Sequence, residues 1–288
     1  MALEHPRRSV WIMIAWFGLL LVVCYAPVMR RLVAQWDSDP DVGHGFFVPP
    51  VAAFIVWQRR EELLAIKSRP CWWGLVLVIC GGGLLIAATM GVELFVTRVA
   101  MVMTLTGMVW LLGGTAILRK VMFPLFLLLF MIPIPQVAYN RITFPLQLLA
   151  SRLAGNALSI LGIPVLREGN ILELASQKLS VVEACSGIRS LLSLTFVSLV
   201  YGYFFEEKRW IRVLLFLATI PIAIVANASR VTFTGIASEI NPKLAEGIFH
   251  ESTGWVIFMV ALVILIGVHQ AIRAVLRWLP TNQRKVTA

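Results

Sequence analysis

Long apolar runs separated by short polar stretches dominate this chain. There are about eight of them, and most reach the length of roughly 20 residues that a helix needs to cross a bilayer. The second and fifth runs are shorter. The pattern predicts an all-α polytopic membrane protein, built as a single integral membrane domain over residues 1–288. The runs cover residues 10–28, 46–57, 72–90, 94–118, 121–134, 188–205, 213–236 and 255–272.

The connection between the fifth and sixth runs, residues 133–185, is long and has a different pattern. Residues 144–162 show helical periodicity interrupted by polar side chains, which predicts an amphipathic helix on or in the outer leaflet. Residues 165–184 then alternate in the manner of strands, with a turn at 168–170. We therefore expect a small β-hairpin before the sixth run.

Composition supports a membrane location and excludes a nucleic-acid-binding protein. Hydrophobic residues make up 59% of the chain and charged residues only 14%, whereas soluble domains average about 25% charged residues. The net charge is +10, but the sequence offers no soluble domain to carry a basic patch. Basic residues collect in cytoplasmic loops. This rule places both termini in the cytoplasm and residues 133–185 outside, with an uncleaved first helix.

Cys185 differs from the other cysteines in its surroundings. Cys24, Cys71 and Cys80 lie in or beside apolar runs and are expected to be small buried side chains. Cys185 lies in the polar stretch EACSGI at the start of the sixth run. A helix N-terminus lowers the pKa of a thiol and favours the nucleophilic thiolate. The alternative is a small residue that packs helices together.

Two further polar residues are predicted at the same outer side. Arg230 lies within the seventh run, where an arginine is unfavourable unless it is paired, faces water or extends to the headgroups. Asn227 is three residues earlier, on the same helix face. His250 precedes the eighth run; alone, it is an ordinary surface histidine. Together they form a candidate site, because histidine is the usual base for a cysteine nucleophile and arginine stabilises an oxyanion.

Other polar residues are candidates for supporting or substrate-binding roles. Arg189, one helical turn after Cys185, is a competing cation, and Glu183 and Ser186 flank the thiol. In the first outer loop, the carboxylates and histidine favour a solvated loop, or one that binds a basic or hydroxylic substrate group, over a metal site. No metal and no cofactor is expected. The loop residues are Asp37, Asp39, Asp41 and His44.

The motifs EACSGIRS, NASR and HESTG, in this order, resemble those of the exosortase family of bacterial membrane transpeptidases, and GHGFFVPP in the first outer loop resembles that family's tract near the first span. The resemblance covers most of the chain, from about residue 36 to 255. It implies that Cys185, Arg230 and His250 are the catalytic residues. The likeness to the Cys, His and Arg of soluble sortases is one of roles on an unrelated fold.

The resemblance also implies a substrate class and a location. Substrates would be exported proteins with a C-terminal PEP-CTERM-type signal, which consists of a Pro-Glu-Pro-like motif, a transmembrane helix and a basic tail. The enzyme would cleave them at the outer face of the bacterial inner membrane and pass them to an acceptor linked to the envelope or exopolysaccharide. The alternative is a non-enzymatic transporter or export subunit, in which Arg230 binds substrate. Such proteins often show paired inverted repeats, and the sequence shows none.

Overall fold

The computed structural model describes residues 5–91, 93–181, 188–241 and 247–278, without the side chains of residues 5–11, 14, 188 and 247–251. The predicted all-α polytopic fold is confirmed. The α-helices are α1 (His5–Ser38), α2 (Val48–Gln58), α3 (Arg60–Ala65), α4 (Trp72–Met90), α5 (Leu94–Leu127), α6 (Gln136–Ile160), α7 (Ile188–Phe205), α8 (Arg209–Ile240) and α9 (Gly247–Trp278). Short 3₁₀ helices lie at Pro40–Phe46 and Leu128–Met131, and the strands are β1 (Val165–Glu168), β2 (Ile171–Leu174) and β3 (Lys178–Ser180).

Within the described residues, five helices are long and apolar enough to cross a membrane. Helix α7 is apolar but shorter, and α2 has only 11 residues. The prediction of about eight spans therefore remains a prediction. The five candidate spans are Ala15–Ser38, Trp72–Met90, Leu94–Met131, Arg209–Ile240 and Ser252–Trp278.

The sequence predicts a break in the helix at residues 119–120, between the fourth and fifth apolar runs, and this position is wrong. Residues 119–120 lie inside α5, and the break is at Gly114, where φ is 77° and ψ is 179°. A β-carbon at Gly114 would lie 2.1 Å from the carbonyl oxygen of Arg69. Nearby, the backbone N–H of Cys71 donates to the carbonyl of Leu111. Only glycine combines this left-handed φ with so close a backbone approach.

By residue contacts the chain forms two compact units, residues 1–135 and 136–288. In the first unit, α4 packs closely against α5. The missing side chain of Gly74 allows this approach, since a β-carbon there would lie only 2.2 Å from the backbone nitrogen of Leu111. The hydroxyl oxygen of Tyr25 in α1 lies 2.7 Å from the hydroxyl oxygen of Thr104 in α5. The first unit is thus a bundle in which polar groups fix the contact between α1 and α5.

The second unit is built around α8, which packs against α6, α7 and α9. The strands form an antiparallel sheet in the order β1-β2-β3, so the predicted hairpin is confirmed and the third strand is an addition. The predicted helix 144–162 is confirmed as the later part of α6. The sheet packs on α6 and α8 through a buried apolar cluster, Ala150, Ala154, Leu158, Leu172, Leu174, Leu179, Val181 and Val231.

Hydrogen bonds hold the sheet at its turns. Gly169, with φ of 64°, makes the β1–β2 turn, and its carbonyl accepts a 2.8 Å bond from the Ser151 hydroxyl of α6. The Glu239 carboxylate of α8 accepts bonds of 3.1 and 2.8 Å from the backbone N–H and the hydroxyl of Ser176. These bonds fix the β2–β3 turn to the end of α8.

The expectation for the cysteines of the first unit is partly wrong. Cys24 and Cys80 are exposed and Cys71 is half-buried. Apolar periodicity predicts a helix but does not say which of its faces points to lipid, and in a membrane protein the outward face is apolar as well. Cys24 and Cys80 are therefore placed on helix surfaces rather than in a core.

Candidate functional site

Arg230 packs against helix α9. Its side chain is half-buried, and its guanidinium lies beside Gly254. A β-carbon built on Gly254 would lie 3.0 Å from Cζ and 3.1 Å from Nη2 of Arg230. The missing side chain at Gly254 leaves the space that the guanidinium occupies. This packing between α8 and α9 disfavours the alternative in which Arg230 merely extends to the lipid headgroups.

His250 belongs to the first turn of α9, and its side chain lies outside the described residues. Its backbone position is four residues before Gly254, and residues four apart lie on the same face of an α-helix. The guanidinium of Arg230 therefore lies against the α9 face on which position 250 is located. The contact at Gly254 thus places Arg230 about one helical turn along α9 from position 250.

Asn227 is buried, with 5% of its surface exposed. It lies one helical turn before Arg230 in α8, as the sequence predicted. A buried amide beside a half-buried guanidinium makes this stretch of α8 polar on its inner side. A polar inner face in an otherwise apolar helix is typical of a site that admits a polar group.

Cys185, Glu183 and Ser186 lie in 182–187, outside the described residues. The flanking residues are described. Val181 is fully buried in the same apolar cluster as Val231, the neighbour of Arg230 in the sequence. The chain continues at Ile188 with α7, which packs against α8.

Arg189, in the first turn of α7, is half-buried. It follows Cys185 by four residues in the sequence, and its burial agrees with a place inside the bundle rather than in solvent. It therefore remains the competing cation for an oxyanion.

His44 and Asp37 belong to the first unit. Asp37 is exposed near the end of α1, whereas His44 is half-buried in the 3₁₀ helix Pro40–Phe46. The His44 Nε2 lies 3.2 Å from the carbonyl oxygen of Phe130. Burial lowers the pKa of His44 in spite of the hydrogen bond to the Phe130 carbonyl, so the imidazole is neutral at pH 7. Among the described side chains, no three His, Cys, Asp or Glu are grouped as ligands for a metal ion.

A second polar cluster, at the opposite end of α8, was not predicted from the sequence. The buried carboxylate of Glu206 accepts hydrogen bonds from His269 Nε2 at 3.1 Å and Arg273 Nε at 3.2 Å. It also accepts a 2.9 Å bond from the backbone N–H of Lys208. Burial raises the pKa of Glu206, but these bonds and the charge of Arg273 outweigh it and hold the pKa at about 2.

The signal for this cluster was present but weak. His269 and Arg273 lie four residues apart on α9 and so share a helix face, while Glu206 lies in the loop between α7 and α8. The hydroxyl of Tyr201 adds a contact of 2.8 Å to His269 Nδ1. Pairing these elements requires the tertiary fold. The cluster joins three helices and is expected to stabilise the unit.

Arg98 was also overlooked. It lies in α5, within the apolar run 94–118, and only 3% of its surface is exposed. An ionisable residue in such a run is a signal for a polar environment inside the bundle. Arg98 belongs to the first unit and was not among the predicted site residues.

The Glu206 cluster leads to a pH prediction. Since the pKa of Glu206 falls from 4.5 to about 2 on folding, its ionised form stabilises the fold above pH 4.5. That stabilisation is lost as the pH falls from about 4.5 towards 2. Glu206→Gln should lower the free energy of unfolding at pH 7 by about 3–5 kcal/mol, because it leaves His269 and Arg273 without their anion. Thermal unfolding of the detergent-solubilised protein at pH 7 and pH 3 measures both effects.

Glu207→Gln is the matched control, because Glu207 is the exposed neighbour in the same loop. At each of the two pH values, this variant should have nearly the same unfolding temperature as the wild-type protein. Equal destabilisation by the two substitutions, or an undiminished pH dependence in Glu206→Gln, would contradict the role given to this cluster.

Comparison with known proteins gives a match to a protein family. Residues 36–267 match the family model described as transmembrane exosortase. This range includes the predicted catalytic residues and the first outer loop. No curated protein and no solved structure matches the chain.

Proposed function

Because the chain belongs to the transmembrane exosortase family, we propose that it is a membrane-embedded cysteine peptidase and transpeptidase. It cleaves the C-terminal PEP-CTERM-like sorting signal of exported proteins and transfers them to an acceptor of the envelope or exopolysaccharide. Cys185 is the nucleophile, His250 moves the proton and Arg230 stabilises the oxyanion.

The contact of Arg230 with Gly254 carries this proposal. It brings the one arginine of the predicted trio to the turn of α9 that follows His250. The second support is the apolar cluster that contains both Val231, the neighbour of Arg230, and Val181, four residues before Cys185. Both observations concern the second unit and support a shared site for the three proposed catalytic groups.

The first half of the reaction forms a thioester. Cys185 gives its proton to His250, and the thiolate attacks the carbonyl carbon of the scissile peptide bond. The tetrahedral oxyanion is stabilised by the Arg230 guanidinium, with Asn227 beside it on the same helix face. The carbon–nitrogen bond then breaks, and His250 returns the proton to the leaving amine. Glu183 and Ser186 adjoin the thiol in the sequence and support it.

The second half of the reaction releases the thioester. Water, an amine or a hydroxyl group of the acceptor attacks the carbonyl, and His250 takes the proton of the attacking group. Collapse of the second tetrahedral intermediate restores the Cys185 thiol. The first of these nucleophiles gives hydrolysis, and the other two give transfer.

The membrane location suits such a substrate. A protein anchored by its own C-terminal helix diffuses in the plane of the bilayer and presents its cleavage segment at the interface. Both termini of the enzyme lie in the cytoplasm and the catalytic groups at the outer face, as the distribution of basic residues predicts. The loop that contains Asp37 and His44, which the distribution of basic residues predicts to be external, is the further candidate for substrate contact.

Co-expression with a reporter carrying a Pro-Glu-Pro motif, a transmembrane helix and a basic tail tests the proposal. The reporter should be shortened, as seen by its migration and intact mass, only in cells that contain the enzyme. A reporter with the same helix and tail but a Gly-Ser-Gly motif is the matched control and should stay intact. Equal amounts of full-length reporter with and without the enzyme would favour the transporter or export-subunit alternative.

A further inference from the structure

The edge strand β3 of the small sheet has backbone N–H and C=O groups that pair with no other strand of the sheet. β3 is last in the order β1-β2-β3 and pairs with β2 alone. In the register of this pair, Lys178 lies opposite Glu173 and Ser180 opposite Ile171. An exposed edge of this kind is a template for a further strand.

The register shows which groups point outwards. The backbone N–H of Leu174 bonds to Gln177 and that of Val181 to Asn170, both at 2.9 Å, so positions 177 and 181 face β2. In an antiparallel pair the direction alternates with each residue. The N–H and C=O groups of Lys178 and Ser180 therefore point to the open edge.

The side chains along the strand alternate between the two faces of the sheet. Leu179 and Val181 are buried in the apolar cluster, whereas Lys178 is exposed on the opposite face of the sheet. There the ammonium of Lys178 forms an ion pair with Glu173, directly opposite on β2. The edge thus offers two outward backbone positions and a cation beside the first of them.

We propose that the β3 edge binds the cleavage segment of the substrate as an added strand, with an acidic residue opposite Lys178. This inference rests on the proposed function and names the surface that holds its substrate. The acidic residue exchanges both of its backbone hydrogen bonds with Lys178, and its carboxylate lies beside the ammonium, since opposite residues share a face.

This arrangement accepts proline on both sides of the acidic residue. Neighbours of a residue that pairs with the edge have their N–H positions directed away from it. A proline there removes no hydrogen bond, and proline is confined to such positions in edge strands. In a Pro-Glu-Pro segment only the glutamate has a backbone N–H, and this N–H lies at the position that bonds to the β3 edge.

The strand also leads directly to the nucleophile. Cys185 follows Ser180 by five residues in the sequence. Val181, the residue after this strand, is buried in the apolar cluster that also contains Val231. A substrate held along β3 is therefore bound to the same short segment of chain that carries the reacting thiol.

Charge exchange tests the proposal without removing the ion pair within the sheet. In Glu173→Lys with Lys178→Glu, the pair is kept but the residue at the edge becomes acidic. Processing rates are measured for reporters with Pro-Glu-Pro and Pro-Lys-Pro motifs. The wild type should prefer the acidic motif and the exchanged variant the basic one, with the ratio of the two rates shifting by about tenfold or more.

A backbone test complements the charge test. A short soluble peptide with Pro-Glu-Pro should inhibit processing by the wild-type protein, and N-methylation of its glutamate should weaken the inhibition by about fivefold through loss of one hydrogen bond.

An unchanged ratio of reporter rates in the exchanged variant, or equal inhibition by the two peptides, overturns the edge as docking site. If Cys185→Ala still abolishes processing in the same cells, only this inference fails. If that variant processes normally, the proposed function fails.

Discussion

Cys185→Ala is expected to abolish processing of a tailed reporter while the protein still accumulates in the membrane. Alanine has no nucleophile, so no thioester forms, and the uncatalysed hydrolysis of a peptide bond is negligible on the time scale of the assay. The measurement is the fraction of shortened reporter in cells that contain equal amounts of wild-type and variant enzyme.

The remaining cysteines provide the control. Cys24, Cys71 and Cys80 changed together to alanine should leave processing measurable, because these residues lie in the first unit, two of them exposed and one half-buried. Normal processing by Cys185→Ala would refute the enzyme interpretation and favour a transporter or export subunit. Loss of processing in both variants at equal protein levels would leave Cys185 without a special role and would also contradict the mechanism.

Arg230→Lys should lower the rate of processing by about 10²–10³, the usual effect of losing one oxyanion donor. Lysine keeps the charge but lacks the planar fork of N–H donors. It also cannot reproduce the close packing of the guanidinium against Gly254. Reporter processing under conditions in which enzyme is limiting measures the change.

Two other arginines sharpen this comparison. Arg152→Lys changes an exposed arginine of the same unit and should have little effect. Arg189→Lys tests the competing cation in α7. Near-normal activity of Arg230→Lys together with a large loss in Arg189→Lys would move the oxyanion role from α8 to α7.

The fold was predictable where a local pattern decides it. The apolar run 72–90 has the bounds of α4, and 188–205 has those of α7. The alternation over residues 165–184 predicts the hairpin, but the division that makes β3 a separate strand of three residues depends on its pairing with β2. The break in α5 was misplaced because the charged pair 119–120 resembles a turn, whereas the backbone φ of Gly114 is not visible in the sequence.

The candidate site was predictable where a residue contradicts its surroundings. Arg230 and Asn227 are polar within an apolar run, and both are withdrawn from the surface in the structure. The Glu206 cluster is different, because its carboxylate and its partner His269 are 63 residues apart and each is unremarkable alone. The exposure of Cys24 and Cys80 depends on which helix face meets lipid, and that is a property of the packing.

A covalent intermediate tests the central claim most directly. The measurement uses the full chain with Cys24, Cys71 and Cys80 changed to alanine, mixed in excess with a tailed substrate and quenched in acid after short intervals. Intact mass and peptide mapping should show the N-terminal product attached to the peptide that contains Cys185, with hydroxylamine releasing it as expected for a thioester. Shortened substrate accumulating while Cys185 remains unmodified at every interval would contradict the account.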